Sequence, residues 1–348
     1  MKKILIPVIL ILIFGWIEIL SISRELAKLQ LIWIVLGISF LILSLKINWR
    51  NILNYPWFIK FLYILALLLL IVSLFFGPVI RGTKGWLVLG PVRFQPVEFA
   101  KIALILFYAS YFSKKHIFVS SWKTILESFI LFIILGGLVL LQPDLGSFLI
   151  LFGIWFGFLL LSGLPGKRII AAIFIFIILG IIGWNFFLKD YQKQRIIGVF
   201  YPEKNALTIN YSTIQSKIAI GSGGWFGKGF KQGTQTQLGF LTEPATDFIF
   251  AALVEEWGLV FGLVVILSFL FLIWGLIYIG THTYFNFLKF ICLGTIIVLS
   301  LHFFINLGSV LGILPVIGVP FPFLSYGGSN LLTNFFILGI ILSIVKYS

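Results

Sequence analysis

Of the chain's 348 residues, 60% are hydrophobic and 10% charged, and the net charge is +14; an ordinary soluble domain carries about 25% charged residues. No water-soluble fold buries that much apolar surface, so the composition predicts an all-α, polytopic integral membrane protein, and continuous rather than alternating apolar runs exclude a β-barrel. The single Cys292 excludes an internal disulfide, and His116, His282 and His302 are too scattered to predict a zinc cluster.

Ten spans are predicted in chain order, at 4–23, 30–46, 59–77, 97–113, 123–141, 145–163, 168–187, 248–278, 284–309 and 325–346. The first follows Met1-Lys2-Lys3 and could be read as a secretory signal. The residues after it, Ser21 to Glu25, offer no small-x-small cleavage site, so it is expected to stay as an anchor. With both termini cytoplasmic, the inner loops hold Lys46, Arg50, Lys114, Lys115, Lys167 and Arg168 without an Asp or Glu among them. That is the positive-inside pattern, which assigns the positive charge to topology rather than to nucleic acid.

The outer side receives the loop 78–96, the tight turn Gln142-Pro143-Asp144, the long segment 188–247 between spans 7 and 8, and the Pro/Gly-rich stretch 308–328. The chain is therefore read as one transmembrane domain, 1–348, with 188–247 as its large outer loop. Loops this long are usually functional. This one mixes Lys189, Asp190, Lys193, Arg195, Glu203 and Lys204 with apolar residues. It contains a short amphipathic helix at Tyr211 to Ala219 and a glycine-rich stretch around Lys228 and Lys231, and is expected to form a folded cap on the outer membrane surface.

A charge at mid-bilayer costs about 2.5–3.5 kcal/mol on insertion scales, so charged residues inside spans call for a reason. Glu18, Glu127 and Lys289 lie near predicted span ends, where snorkelling explains them. Glu98 and Lys101 are three apart and share a helical face, either as a structural ion pair or as the wall of a polar cavity. Asp247, after Thr246, opens a long apolar helix with Glu243 just before it and Glu255-Glu256 further down. Helix capping explains Thr246-Asp247 taken alone, whereas with Glu255 and Glu256 three carboxylates line one entry into the membrane. Trp86 is either an interfacial anchor or a stacking platform.

At these residues the sequence resembles the SEDS family of shape, elongation, division and sporulation proteins, typified by RodA and FtsW. The resemblance covers essentially the whole chain. It is densest at Gly82 to Lys101, at Gln142-Pro143-Asp144-Leu145-Gly146, at residues 221–256 and at Asn306 to Asn330 with Pro322-Phe323-Leu324-Ser325-Tyr326-Gly327-Gly328-Ser329. Residues 233–241, GTQTQLGFL, look more like the RodA branch. The resemblance implies a peptidoglycan glycosyltransferase that polymerises lipid II on the outer face of the membrane and works with a class B penicillin-binding protein. It places Asp247 on the family's essential acidic residue, Trp86 on its first-loop tryptophan, and Glu98 and Lys101 on its polar cavity. Thr242 and Ala245 depart from the family's usual proline and histidine, which puts a helper histidine in doubt.

Such a reaction removes a proton from an acceptor hydroxyl while a pyrophosphate leaves, so one carboxylate as general base suffices, and Asp247 is its candidate. The leaving charge needs cations. Arg93, Lys101, Lys228 and Lys231 are available, or a divalent cation, although the sequence itself requires no cofactor. Asp144, Glu243, Glu255 and Glu256 complete the predicted substrate-binding set. The competing reading is a flippase for a lipid-linked precursor, in which intramembrane acids form a path. Polar residues crowded at the outer face favour the enzyme.

Overall fold

A computed structural model describes residues 1–80, 82–90, 92–115, 121–161, 163, 165–186, 188, 190–201, 203, 208 and 210–347. His116, Lys189 and Lys204 lie outside the described residues. The elements run α1 (Lys2–Ile22), α2 (Arg24–Ser44), α3 (Trp49–Leu53), α4 (Pro56–Phe76), β1 (Leu87–Leu89), β2 (Val92–Phe94), α5 (Pro96–Lys115), α6 (Trp122–Leu141), α7 (Leu145–Leu161) and α8 (Gly166–Phe186). The long segment between α8 and α12 carries α9 (Asp190–Phe200), α10 (Tyr211–Gly223) and α11 (Thr234–Gln237), and the last helices are α12 (Ile249–His282), α13 (Asn286–Val310) and α14 (Gly328–Lys346).

Each predicted span falls on a helix. Among the described residues, seven helices (α1, α2, α4, α6, α12, α13 and α14) are long and apolar enough to cross a membrane. The chain is an integral membrane protein. The predicted amphipathic helix in the outer segment is α10, which continues beyond Ala219 to Gly223. A feature absent from the all-α expectation is the antiparallel β1–β2 hairpin, paired Leu87 with Phe94 and Val88 with Arg93.

Helix ends follow local chemistry. Ser23 caps α2 by accepting from Leu26 N, Ser121 caps α6 by accepting from Thr124 N, and Pro56 opens α4 where a missing N–H costs nothing. The bundle packs α1 on α12, α2 on α14, α4 on α5, and α13 against both α5 and α12, while α10 lies on α12. Small residues allow the close approaches: a β-carbon on Gly15 would meet Leu324 O at 2.4 Å, and one on Gly339 would meet Ser44 Cβ at 2.7 Å. Broad faces of α2, α4 and α12 expose apolar side chains, as lipid contact requires.

Two expectations are corrected here. Glu18 does not snorkel: it is fully buried between α1 and α12, where its Oε2 accepts from Trp257 Nε1 at 3.1 Å. Nor does Asp247 sit in the first turn of a helix. The helix after it begins at Ile249, and the N-cap position is Phe248, which makes no side-chain cap.

Candidate active site on the outer face

The loop between α4 and α5 is tied to its neighbours by hydrogen bonds. Lys84 N donates to Gln142 O at 3.3 Å, and Gln142 Nε2 donates to Leu70 O and Ser73 Oγ at 2.9 Å each. Gln95 donates from its backbone to Ser329 Oγ at 3.1 Å and from its side chain to Asp144 Oδ2 at 3.3 Å. Asp144 also accepts from Ser147 N at 3.0 Å and Ser147 Oγ at 2.7 Å. It thus caps the start of α7 and ties the turn to the loop, a structural duty that its candidacy as a substrate ligand did not foresee. Trp86 is half-buried at the start of the hairpin, and Arg93 is exposed on β2. Arg93 lies near Tyr326: burial pushes the Tyr326 hydroxyl's pKa up, while its Trp33 hydrogen bond and the charge of Arg93 pull it back.

Below this loop, Lys101 Nζ reaches Glu98 Oε1 at 2.8 Å with both residues buried. Asn330 Nδ2 donates to Glu98 Oε2 at 3.1 Å. His302, on α13, joins the pair: its Nε2 lies 3.0 Å from Lys101 Nζ and its Nδ1 3.2 Å from Pro320 O. An Nδ1–H donated to that carbonyl leaves the Nε2 lone pair to accept from the ammonium, so the contacts define the tautomer. Glu98 and Lys101 also line a small recess with Thr295, Thr333 and Asn334 and the apolar Ile102, Ile105, Val298, Leu299 and Ile337. The ion pair of the first sequence reading is therefore present inside the bundle.

Glu255 and Glu256 are corrected from open membrane-entry carboxylates to buried anchors, at 0% and 1% exposure. Glu255 accepts from Lys228 Nζ at 2.9 Å, Gln235 N at 2.8 Å, and Thr236 N and Oγ1 at 3.0 and 2.8 Å. Glu256 accepts from Ser21 Oγ at 2.5 Å, Lys231 N at 3.0 Å and Gln237 Nε2 at 2.8 Å. The physical reason is the helix break at Gly258, where φ is +88°. Leu259 N and Val260 N, freed from the helix, donate to Gly224 O and Trp225 O, while Lys228 N and Gly229 N donate to Glu255 O and Glu256 O. The glycine-rich loop is thereby stitched into the break, and the two carboxylates accept from three more of its backbone donors, Lys231 N, Gln235 N and Thr236 N. Lys228 is thus neutralised by Glu255. Lys231 is exposed, and its Nζ stands 5.8 Å from the Phe230 ring centroid.

The turn carrying Asp247 is held from the far end of the chain. Three consecutive carbonyls are gripped: Ala245 O accepts from Tyr326 N at 2.8 Å, Thr246 O from Ser325 Oγ at 2.7 Å, and Asp247 O from Asn306 Nδ2 at 2.9 Å. The same Asn306 amide donates to Val319 O at 2.9 Å, and Asn306 Oδ1 is buried without a hydrogen-bond partner. Glu243, with φ +51°, closes the turn from the other side by accepting from Thr246 N and Phe248 N at its carbonyl. Asp247 is half-buried, and a β-carbon built on Gly318 would stand 4.0 Å from its Oδ2. Gly146 fits under the same stretch, since a β-carbon there would meet Ile317 O at 2.6 Å.

The segment 316–326 therefore joins the predicted pieces. His302 and Asn306, one turn apart on α13, hold its Pro320 and Val319 carbonyls, linking the Glu98–Lys101 pair to the Asp247 turn. Sequence reasoning missed His302 and the roles of Asn306 and Ser325. Their only sequence signal is polarity inside an apolar span or a Pro/Gly-rich stretch. Among the described residues no group of three or more His, Cys, Asp or Glu is arranged to hold a metal ion.

In an apolar helical bundle, buried polar residues of α13 and of the stretch before α14 thus meet the turn that carries Asp247. The chain belongs to the cell cycle protein family of FtsW, RodA and SpoVE, whose pattern it matches over residues 3–348. It is 40% identical over 311 residues to the peptidoglycan glycosyltransferase MrdB of Escherichia coli K12, covering 89% of this chain and 83% of that one. Stage V sporulation protein E of Bacillus subtilis is 32% identical over 333 residues, covering 92% and 87%. Among solved structures, a chain from a peptidoglycan synthase complex that coordinates polymerization and crosslinking superposes with a TM-score of 0.86 at 26% identity, covering 100% of this chain and 98% of that one. RodA of Thermus thermophilus gives 0.74 at 27% identity, covering 99% and 96%.

Proposed function

We propose that this protein is a peptidoglycan glycosyltransferase that polymerises lipid II into β-1,4 glycan strands on the outer face of the cytoplasmic membrane, with both termini in the cytoplasm, for cell-wall elongation and cell shape. The observation that carries the reading is the Asp247 turn, gripped at three successive carbonyls and presenting a half-buried carboxylate at the outer end of the bundle. Relatives named peptidoglycan glycosyltransferases support it.

Asp247 acts as general base. It takes the proton of the acceptor hydroxyl as that oxygen bonds to the donor's anomeric carbon. The bond from that carbon to phosphate breaks, and the prenyl pyrophosphate leaves with the electron pair. Attack opposite an α-linked leaving group inverts the centre to β. No acid is needed for so stable an anion, which separates this chemistry from glycoside hydrolysis. Arg93 and Lys231, both exposed, are substrate-binding candidates, as is Trp86 by stacking. Lys101 and Lys228 carry partner carboxylates already. A divalent cation would add charge at the pyrophosphate. Likeness to a chain of a synthase complex supports a class B penicillin-binding protein as partner.

The rival function is lipid II translocation. Proteoliposomes containing the purified chain and fluorescent lipid II separate the two: a ladder of glycan chains is expected. Movement of lipid II between leaflets without any polymer would replace the polymerase reading with the flippase.

A further inference from the structure

We propose that Trp225 and Phe226, at the tip of the glycine-rich loop after α10, anchor in the headgroup region of the bilayer and so set the depth of the half-helix that leads away from Asp247. Neither side chain packs into the fold: Trp225 is 64% exposed and Phe226 81%. The backbone beneath them is nevertheless held fast. Gly227 N donates to Gly223 O at 2.8 Å, and Val260 N donates to Trp225 O at 3.2 Å. A β-carbon on Gly227 would stand 2.2 Å from Glu256 O, and one on Gly258 would stand 2.5 Å from Phe226 C. Two glycines thus press the tip onto the break in α12, with the aromatic side chains projecting away from it. Large apolar side chains held outward on a fixed backbone mark a contact surface.

The path of α12 shows where that tip stands. A β-carbon on Gly262 would meet Val254 Cγ2 at 2.8 Å and Phe250 Cζ at 3.3 Å. In a straight helix, residues eight and twelve positions apart are separated by about 12 and 18 Å. The Phe321 ring also meets both Phe250 and Phe269, at 6.2 and 6.0 Å between centroids. Residues 249–257 therefore fold back on 259–282, with Gly258 at the apex. The apex lies level with the end of α1, since Ser21 Oγ donates to Glu256 Oε2 and accepts from Lys231 N at 3.2 Å.

The second limb of α12 measures the membrane. Val260, Leu263, Leu267, Leu270, Trp274 and Tyr278 are exposed and recur at helical spacing. From Val260 to Tyr278 the helix rises about 27 Å, close to the roughly 30 Å of a hydrocarbon core. At the far end Lys3 Nζ stands 4.5 Å from the Trp274 ring centroid and 3.5 Å from that of Tyr278, the pairing of aromatic rings and cations typical of a membrane interface. At the near end Val260 is bonded to Trp225 itself. The apolar face thus has aromatic side chains at both ends, and the loop supplies the near set. No Asp or Glu occurs from Gly221 to Thr242, so the loop's own sequence carries no charge that repels lipid phosphate. The occupant is the bilayer because the tip continues a helix face that lipid already covers.

Such an anchor acts on the far end of the folded-back limb. Residues 249–257 join the apex to the Asp247 turn over about 13 Å of helix, so the depth of the tip sets the depth of the carboxylate. The native Cys292 is buried, which lets a nitroxide spin label be placed selectively by Phe226→Cys, with Trp225→Cys as the second variant should the first fail to assemble. Both side chains project from the fold, so the variants are expected to fold. The full chain is placed in nanodiscs of phosphatidylcholine and phosphatidylglycerol without a partner protein. Power-saturation EPR then compares collisions with oxygen, which concentrates in lipid, and with a water-soluble nickel chelate. Nickel collisions are expected to fall at least about threefold below those of the free label while oxygen collisions rise, as insertion by about 5–10 Å into the headgroup boundary requires. Nickel collisions equal to those of the free label overturn the proposal and leave the tip to a protein partner. No lipid-linked sugar enters the measurement, so its failure leaves the polymerase reading intact, and a chain that does not polymerise leaves the anchor standing.

Discussion

Asn306 shows how much one side chain carries. Both of its N–H groups are used, one on Asp247 O and one on Val319 O, so it holds the carboxylate's own residue against the segment that faces it. Replacing it with alanine removes both hydrogen bonds, an expected loss of about 1–3 kcal/mol of stability. It also frees the Asp247 turn to shift, and a displacement of about 1 Å can cost on the order of a hundredfold in rate. Steady-state kinetics of Asn306→Ala on lipid II should show the loss in kcat with KM little changed. Lys101 has a different weight. Lys101→Ala strands Glu98 in the bundle, with an expected penalty of about 3–5 kcal/mol in denaturation, and the double variant Glu98→Gln with Lys101→Met should recover most of it. The spacing of Glu98 and Lys101 made that pair legible in the sequence. His302, which completes it from 201 positions away, was not, because its contact depends on how α13 crosses α5.

At the scale of elements, the break in α12 explains why two glutamates stand deep in an apolar helix. Periodicity reads 248–278 as one uninterrupted span, and nothing local in Glu255-Glu256-Trp257-Gly258 reveals that residues 224–237 fold back to fill the break. The carboxylates looked like a membrane entrance because their partners, side chains and backbone N–H groups of the loop together with Ser21 of α1, come from segments that are distant in sequence. Glu18 was misread for the same reason, since its Trp257 partner arrives on another helix. A β-carbon on Gly258 would stand 2.3 Å from Trp225 O in a backbone conformation that disfavours side chains. Gly258→Ala is therefore expected to cost at least about 1–3 kcal/mol and to expose the loop 224–237 to proteolysis, read as faster trypsin cleavage after Lys228 and Lys231. Unchanged cleavage would show that the loop is held by other means.

Across the whole molecule, hydropathy and charge placement made the membrane fold readable from the sequence, because both follow from the bilayer as solvent. They could not show which outer segments meet. The first loop, the Gln142-Pro143-Asp144 turn and the Asp247 turn converge on 316–326, a stretch whose prolines and glycines announce a turn but not its neighbours. In the proposed reaction this convergence presents Asp247 as the catalytic base. The direct measurement is polymerisation of labelled lipid II by purified wild type and by Asp247→Asn, which keeps the size and removes the basicity, with thermal unfolding recorded for both. Unfolding is expected to be unchanged and polymerisation to fall by at least about a hundredfold. Polymerisation by Asp247→Asn at the wild-type rate would contradict that role.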